Sequence, residues 1–154
     1  MIAAELMTEN PRTIRPTDLL SEALDALQSM DIRHLPVVDA DNNLVGMISD
    51  RDLGPLMTIF TEGAEAQRMI VPLSRRRVAE LMSSDVVAVD ADADMSDVIE
   101  MMLEQRIGAV PVVDGEGNVS GIISYVDILR AISRELEPEE EEVRRRPQPA
   151  RPSR

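Results

Sequence analysis

Residues 46–53 read GMISDRDL and residues 121–128 read GIISYVDI, a displacement of 121 − 46 = 75 positions. Both stretches keep a glycine, an isoleucine, a serine and an aspartate in register, and both place Ser and Asp three apart. Sliding the chain by 75 aligns residues 4–53 with 79–128 without a gap. AELM at 4–7 meets AELM at 79–82, HLPVVD at 34–39 meets AVPVVD at 109–114, and Asn43 meets Asn118. A register held over so long a stretch marks an internal tandem repeat, the feature that decides the fold.

Each copy reads as the same succession. A short extended piece (Thr13-Ile14-Arg15; Val87-Ala88-Val89) precedes an amphipathic helix with Leu20, Ala23, Leu24, Leu27 and Met30 in one copy and Met95, Val98, Ile99 and Met102 in the other. Asp18 or Ser21, and Asp94 or Ser96, are the candidate caps. LPVVD and VPVVD read as buried strands whose proline restricts them to an edge or a strand start. Turn residues follow, then a returning strand (LVGMIS; VSGIIS) that makes a hairpin, then a helix starting near Asp50 and Tyr125. The expected fold class is α/β (α+β), with tandem β-α-β-β-α units. Units of about 50 residues are too small to be stable alone, so the two must share a core.

The expected organisation is repeat one at 1–57, a linker at 58–77, repeat two at 78–136 and a disordered charged tail at 137–154. Apolar positions on the second helices (Leu53, Leu56, Met57, Ile128, Leu129, Ile132) exceed what one small unit can cover, which predicts pairing of copies through them.

Composition excludes several function classes. The net charge is −13, from 16 basic residues, all Arg, against 29 acidic ones. The tail's five Glu and five Arg cancel, so the acidic excess sits on residues 1–136, and such a domain repels a nucleic-acid backbone. One Phe, one Tyr and no Trp leave no platform for stacking bases. There is no Cys and a single His, His34, so thiolate and multi-histidine metal sites are excluded. No apolar run approaches the roughly 18 residues of a membrane helix, and no secretory leader pattern opens the chain. The expectation is a cytoplasmic protein with no nucleic-acid and no membrane partner. No P-loop, Cys nucleophile or glycine-flanked Ser is present, so it is read as not an enzyme.

MT-x-N-P and TI near the start, a helix, R-H-L-P-V-V-D, then G-x-I-S-x-R-D, all in tandem, closely resemble paired CBS domains, named after cystathionine β-synthase. The resemblance covers nearly all of residues 1–136. It implies two copies packed sheet to sheet around a pseudo-twofold axis, with two clefts that in many relatives bind adenosine-containing ligands. The Ser-x-x-Asp pair has two readings. A serine where a strand becomes a helix is an N-cap, with Asp at the third helical position favouring the positive end of the dipole. A helix start is also an anion site, and a carboxylate there can accept hydrogen bonds from both ribose hydroxyls. The two readings use the same atoms.

By resemblance, Asp52 and Asp127 are candidate ribose ligands, Ser49 and Ser124 would help hold phosphate, and Arg33 and His34 stand where relatives carry phosphate-reaching cations. Thr13 sits where the family's first strand passes the adenine, and Ile32, Leu35 and Val37 are candidate walls for the base, with packing in the core as the equal alternative. Arg33, His34 and Arg51 have Gly108, Ala109 and Val126 as repeat-two counterparts. The clefts are therefore expected to be unequal, with the phosphorylated ligand beside Asp52. Arg75-Arg76-Arg77 read as solvated rather than part of the cleft.

The function this implies is a stand-alone regulatory module for energy sensing, a homodimer that binds an adenine nucleotide (AMP, ADP or ATP, with Mg only alongside ATP) and modulates an unknown protein partner. A ligand-free dimerisation or docking module is the other reading, distinguished by no stabilisation with any ligand. A small hydrolase is a third, distinguished by nucleotide turnover.

Overall fold

The computed structural model of the chain describes residues 1–54 and 75–136. In chain order these form α1 (Ala3–Leu6), β1 (Thr8–Glu9), α2 (Leu20–Ser29), β2 (His34–Val38), β3 (Leu44–Ser49) and a helical segment at 50–54. A 3-10 turn (Val78–Glu80), β4 (Val89–Asp90), α3 (Met95–Gln105), β5 (Ala109–Val113), β6 (Val119–Ser124) and α4 (Tyr125–Leu136) complete them. Most of the expected linker, the whole expected tail, Leu56 and Met57 lie outside the described residues.

The apolar stripe of each first helix packs where its periodicity predicts. Leu20, Ala23, Leu24 and Leu27 of α2 join Leu35, Val37, Ile48 and Leu53 in one core, and Val98 and Met102 of α3 join Val110, Val112, Ile123 and Ile128 in the other. Every fully buried Leu, Ile or Val contributes about 1.5–3 kcal/mol. Leu53 and Ile128 are thus spent within their own units and Ile132 is half-buried, whereas Leu129 is 59% exposed. The surplus of uncovered apolar positions expected on the second helices reduces, among the described residues, to Leu129 and the terminal Leu136.

The sequence assigns each AELM segment to the repeat it begins. In the fold each one crosses over. β1, from the start of repeat one, pairs antiparallel with β6 of repeat two (Thr8 opposite Ile122), which gives the four-stranded order β1-β6-β5-β4. The symmetric contact, with both numbers moved by 75, is Ser83 opposite Met47, where the backbone exchanges two 2.9 Å hydrogen bonds. Ala3 and Leu6 complete the repeat-two core, and Val78, with Leu81 and Met82, completes that of repeat one.

This crossing explains the glycine in both quoted stretches. A Cβ on Gly46 would lie 2.7 Å from Met82 Sδ and 3.0 Å from the Ser83 carbonyl oxygen, and a Cβ on Gly121 would collide with Met7. Only a hydrogen at Cα lets the incoming methionine lie on the strand. The glutamates of AEL also recur for a reason. Glu5 accepts the Ile2 N–H at 2.8 Å and Glu80 accepts the Arg77 N–H at 2.7 Å, each closing the first turn of its segment.

Two local expectations are corrected. Pro36 lies on β2, an edge strand of its two-stranded sheet as expected, whereas Pro111 lies inside β5, which has neighbours on both sides. The Pro36 carbonyl accepts from Ile14 N–H, and Ile14 in turn accepts from Val38 N–H. The imide nitrogen of Pro36 faces the same flank as its carbonyl, toward a first strand that makes only the single bridge Ile14–Val37, so no ladder bond is lost there. Nor does Asp18 cap the first helix of repeat one, whereas Asp94 takes the expected N-cap position in repeat two. Leu19 is the N-cap of α2, with Glu22 accepting its N–H at 2.8 Å, while Asp18 closes a turn by accepting from Arg15 N–H at 2.9 Å. Asp94 stands at the N-cap of α3 without a side-chain cap bond.

The hairpin tips touch across the pseudo-twofold axis. Asn43 bridges Asn118, Leu44 N–H donates to the Gly117 carbonyl (3.3 Å), and Val119 N–H donates to that of Asn42 (3.2 Å). Asn42 (φ 65°) and Gly117 (φ 86°) are the matched left-handed positions these turns require. Asp39 and Asp114 each accept backbone N–H bonds within their turns, which lowers both carboxyls from their ordinary value.

Candidate functional site

Strand β3 ends at Ser49 and turns directly into the helical segment at 50–54; β6 does the same at Ser124. Asp52 Oδ2 accepts the Ser49 N–H at 2.8 Å and the Ser49 hydroxyl at 3.1 Å. Asp127 Oδ2 accepts the Ser124 N–H at 2.8 Å and its hydroxyl at 2.6 Å, and Asp127 N–H donates back to Ser124 Oγ at 3.3 Å. Each pair therefore closes a strand-to-helix corner, an arrangement of the capping-box kind. Both serine hydroxyls are committed to their aspartates.

The two aspartates differ in their second oxygen. Asp127 Oδ1 lies 3.8 Å from Arg130, whereas Asp52 Oδ1 has no hydrogen-bond partner among the described residues. The repeat-one counterpart of Arg130 is Pro55, which brings no charge.

Asp52 lines a cleft of about 580 Å³ between the repeats, within the size range of small-molecule sites. Repeat one contributes Arg33 and His34 at the entry to β2, Ser49 at the end of β3, and Asp50, Arg51 and Asp52 on the helical segment. The opposite wall belongs to repeat two. It consists of the crossing segment from Ser83 to Val87, the end of α3 with Arg106 and Ile107, and Gly108 with Tyr125. Arg106 is held in the left-handed region (φ 55°) at the C-cap of α3.

Five of the ten candidate residues, Arg33, His34, Ser49, Arg51 and Asp52, thus come together in one cleft. The other five do not line it. Leu35 and Val37 are fully buried in the repeat-one core and serve packing. Thr13 sits beside Ile14 on the flank of the repeat-one sheet, and Ser124 and Asp127 lie outside this lining. Apolar walls come instead from Met47, Val86, Val87 and Ile107; the last is the counterpart of Ile32. Sequence reading missed Val86 and Val87 because they reach this cleft only through the crossing. Of the three arginines at 75–77, Arg76 pairs with Glu80 and Arg77 donates to the Thr17 carbonyl, away from the cleft.

The repeats meet closely at this wall. A Cβ on Gly108 would stand 3.4 Å from His34 Cε1, and the Arg33 guanidinium donates to the Tyr125 hydroxyl at 3.4 Å while its Nε lies 3.9 Å from Asp50. Burial holds His34 below its ordinary pKa of 6.5, reinforced by Arg33 and Arg51 and opposed by Asp50 and Asp52. The folded state therefore binds this proton less readily than the unfolded chain. The stability His34 contributes is fully present above pH 6.5 and is lost as pH falls through the lower folded value. Between about pH 7.5 and pH 5, urea midpoints should fall further for the native chain than for His34→Gln. Equal slopes for the two proteins would remove His34 as the cause.

Among the described residues no helix is long and apolar enough to cross a membrane, and no group of three or more His, Cys, Asp or Glu is placed to hold a metal ion.

Two pseudo-symmetric α+β units that exchange their leading segments and enclose a cleft define a tandem-repeat module. The CBS domain family matches residues 3–53 and 78–134, more than half of the chain. The chain belongs to the CBS domain family. It is 30% identical over 128 residues to inosine-5′-monophosphate dehydrogenase of Methanocaldococcus jannaschii, covering 83% of this chain but only 23% of that enzyme. CBSX2 of Arabidopsis thaliana, crystallised with AMP, is similar at a TM-score of 0.73 and 28% identity, over 88% of this chain and 98% of that one. The CBS domain pair of protein MJ0100, crystallised with 5′-methylthioadenosine and S-adenosyl-L-methionine, is similar at 0.73 and 27% identity, over 88% and 98%.

Proposed function

We propose that this chain is a regulatory binding module that takes an adenosine-containing small molecule in the cleft between its repeats. The observation that carries the reading is Asp52. It is fixed through Oδ2 by Ser49 while Oδ1 stays available at the cleft wall, the disposition a ribose diol requires. Arg33, Arg51 and His34 lie beside it for phosphate, and Val86, Val87 and Ile107 offer an apolar wall for the base. The ligands crystallised with CBSX2 and MJ0100 are all adenosine compounds, which supports this class.

The proposal carries the finer expectations with it. The ligand is sought in the AMP, ADP or ATP class, with Mg only alongside ATP, a class that the cleft's charge balance narrows below; the chain works as a homodimer in the cytoplasm, senses energy state and reports to a protein partner through a change of shape rather than by catalysis. Repeat one is assigned to 1–57 and repeat two to 78–136, joined by the linker 58–77 and followed by the tail 137–154. The test is a thermal melt against AMP, ADP, ATP with and without Mg, S-adenosylmethionine, 5′-methylthioadenosine and NAD. A ligand bound only by the folded state at 100 times its Kd stabilises by about 2.7 kcal/mol. No shift with any of them at millimolar concentration sinks the proposal in favour of the docking module.

A further inference from the structure

Resting on that reading, we infer that the Asp52 cleft selects adenosine ligands with one phosphate or none and rejects ADP and ATP, with Asp85 as the residue that sets the limit. Among the described residues the formal charges on the cleft wall cancel: Arg33, Arg51 and Arg106 against Asp50, Asp52 and Asp85, or 3 − 3 = 0. Not all of the positive charge is available to a ligand. Arg33 is shared with Asp50 at 3.9 Å and with the Tyr125 hydroxyl at 3.4 Å, and Asp52 accepts from Ser49 and, in the proposed mode, from a ribose. What remains for phosphate is Arg51 and Arg106, opposed by Asp85.

Around the cleft the chain carries a net charge of −13, so the surroundings supply no compensating field. His34 adds little, since burial keeps it largely neutral at pH 7. A terminal phosphate brings about −2 at neutral pH, and every phosphate added to the chain brings another ionised oxygen. Arg51 and Arg106 against Asp52 and Asp85 leave no net positive charge (2 − 2 = 0), so the two arginines can meet one phosphate locally but offset little of a triphosphate.

Asp85 is the element of this balance that packing does not need. It is exposed, it stands on the crossing segment between Ser83 and the apolar Val86 and Val87, and the repeat-one residue at its position is the neutral Asn10.

Calorimetry on the native chain and on Asp85→Asn, with 5′-methylthioadenosine, AMP, ADP, ATP and Mg-ATP as probes, tests the inference. In the native chain AMP should bind roughly tenfold or more tightly than ATP, with ADP between them, since like-charge repulsion grows with every added phosphate. Asp85→Asn should tighten ATP most, AMP less, and leave the uncharged 5′-methylthioadenosine unchanged. That charge-ordered response is one a merely structural Asp85 does not give. ATP or Mg-ATP binding as tightly as AMP, or Asp85→Asn moving all probes equally, overturns the inference and leaves adenosine binding standing. Failure of every probe to bind instead overturns the proposed function on which it rests.

Discussion

Removal of residues 1–9 is expected to unfold repeat two, the half of the molecule to which those residues do not belong in sequence. They supply β1, the edge partner of β6, together with Ala3 (0% exposed) and Leu6 (8% exposed) of the repeat-two core, and Met7 lying on Gly121. Ala3 and Ala4 further donate to the carbonyls of Ala93 and Ala91 at 2.8 Å, tying the segment to the turn before α3. Loss of one buried leucine alone costs about 2–5 kcal/mol, and strand, alanine and methionine contacts go with it. Small domains hold only about 5–15 kcal/mol in total, so the deletion should remove most of the stability of that half. Hydrogen exchange checks the direction. Amides of β5 and β6 should lose protection while those of β2 and β3, closed by the intact Val78–Ser83 segment, keep more of theirs. Protection lost first from β2 and β3 would falsify the crossed arrangement.

The second large effect is on binding. Asp52→Ala should weaken an adenosine ligand by about 10-fold to 100-fold, the loss of hydrogen bonds to a charged acceptor being worth roughly 1.5–3 kcal/mol. Asp127→Ala is the internal control. Both substitutions remove the same strand-to-helix corner bonds, so both should cost a similar 0.5–2 kcal/mol or so of stability. Only Asp52 faces the cleft with an oxygen to spare, whereas Asp127 is turned to Arg130 and lies outside the lining. The tight site should survive Asp127→Ala within about threefold. If Asp127→Ala removes it and Asp52→Ala does not, the assignment of the ligand to the Asp52 cleft is wrong.

The inequality of the two repeats at this site is partly legible in the sequence. The sequence shows that Arg33, His34 and Arg51 have no charged counterparts in repeat two, and the structure gathers all three with Asp52 in one cleft. Leu35 and Val37 stand level in sequence between wall of the base and core, because apolar residues beside a charged pair look the same whether they face a ligand or a core; only burial tells them apart, and both are fully buried. The proline rule failed at Pro111 for a different reason, since it assumes a full ladder on both flanks, and β4 pairs with β5 only at Val112 and Val113.

By itself the sequence determined the repeat, the identity and order of the central elements, and the corner motif. All of these rest on local periodicity and on a register of 75 that needs no knowledge of contacts. The tertiary structure alone decided which repeat each leading segment serves. AELM followed by a short extended stretch has the same pattern whether it folds back on its own hairpin or crosses to the other, because propensity and periodicity are indifferent to partner. What breaks the tie is geometry across the pseudo-twofold axis: Met7 finds its place on Gly121 and Met82 on Gly46. The same crossing carries Val86, Val87 and Asp85 to the cleft beside Asp52, so the wall of the site, unlike its anchoring aspartate, came into view only in the fold.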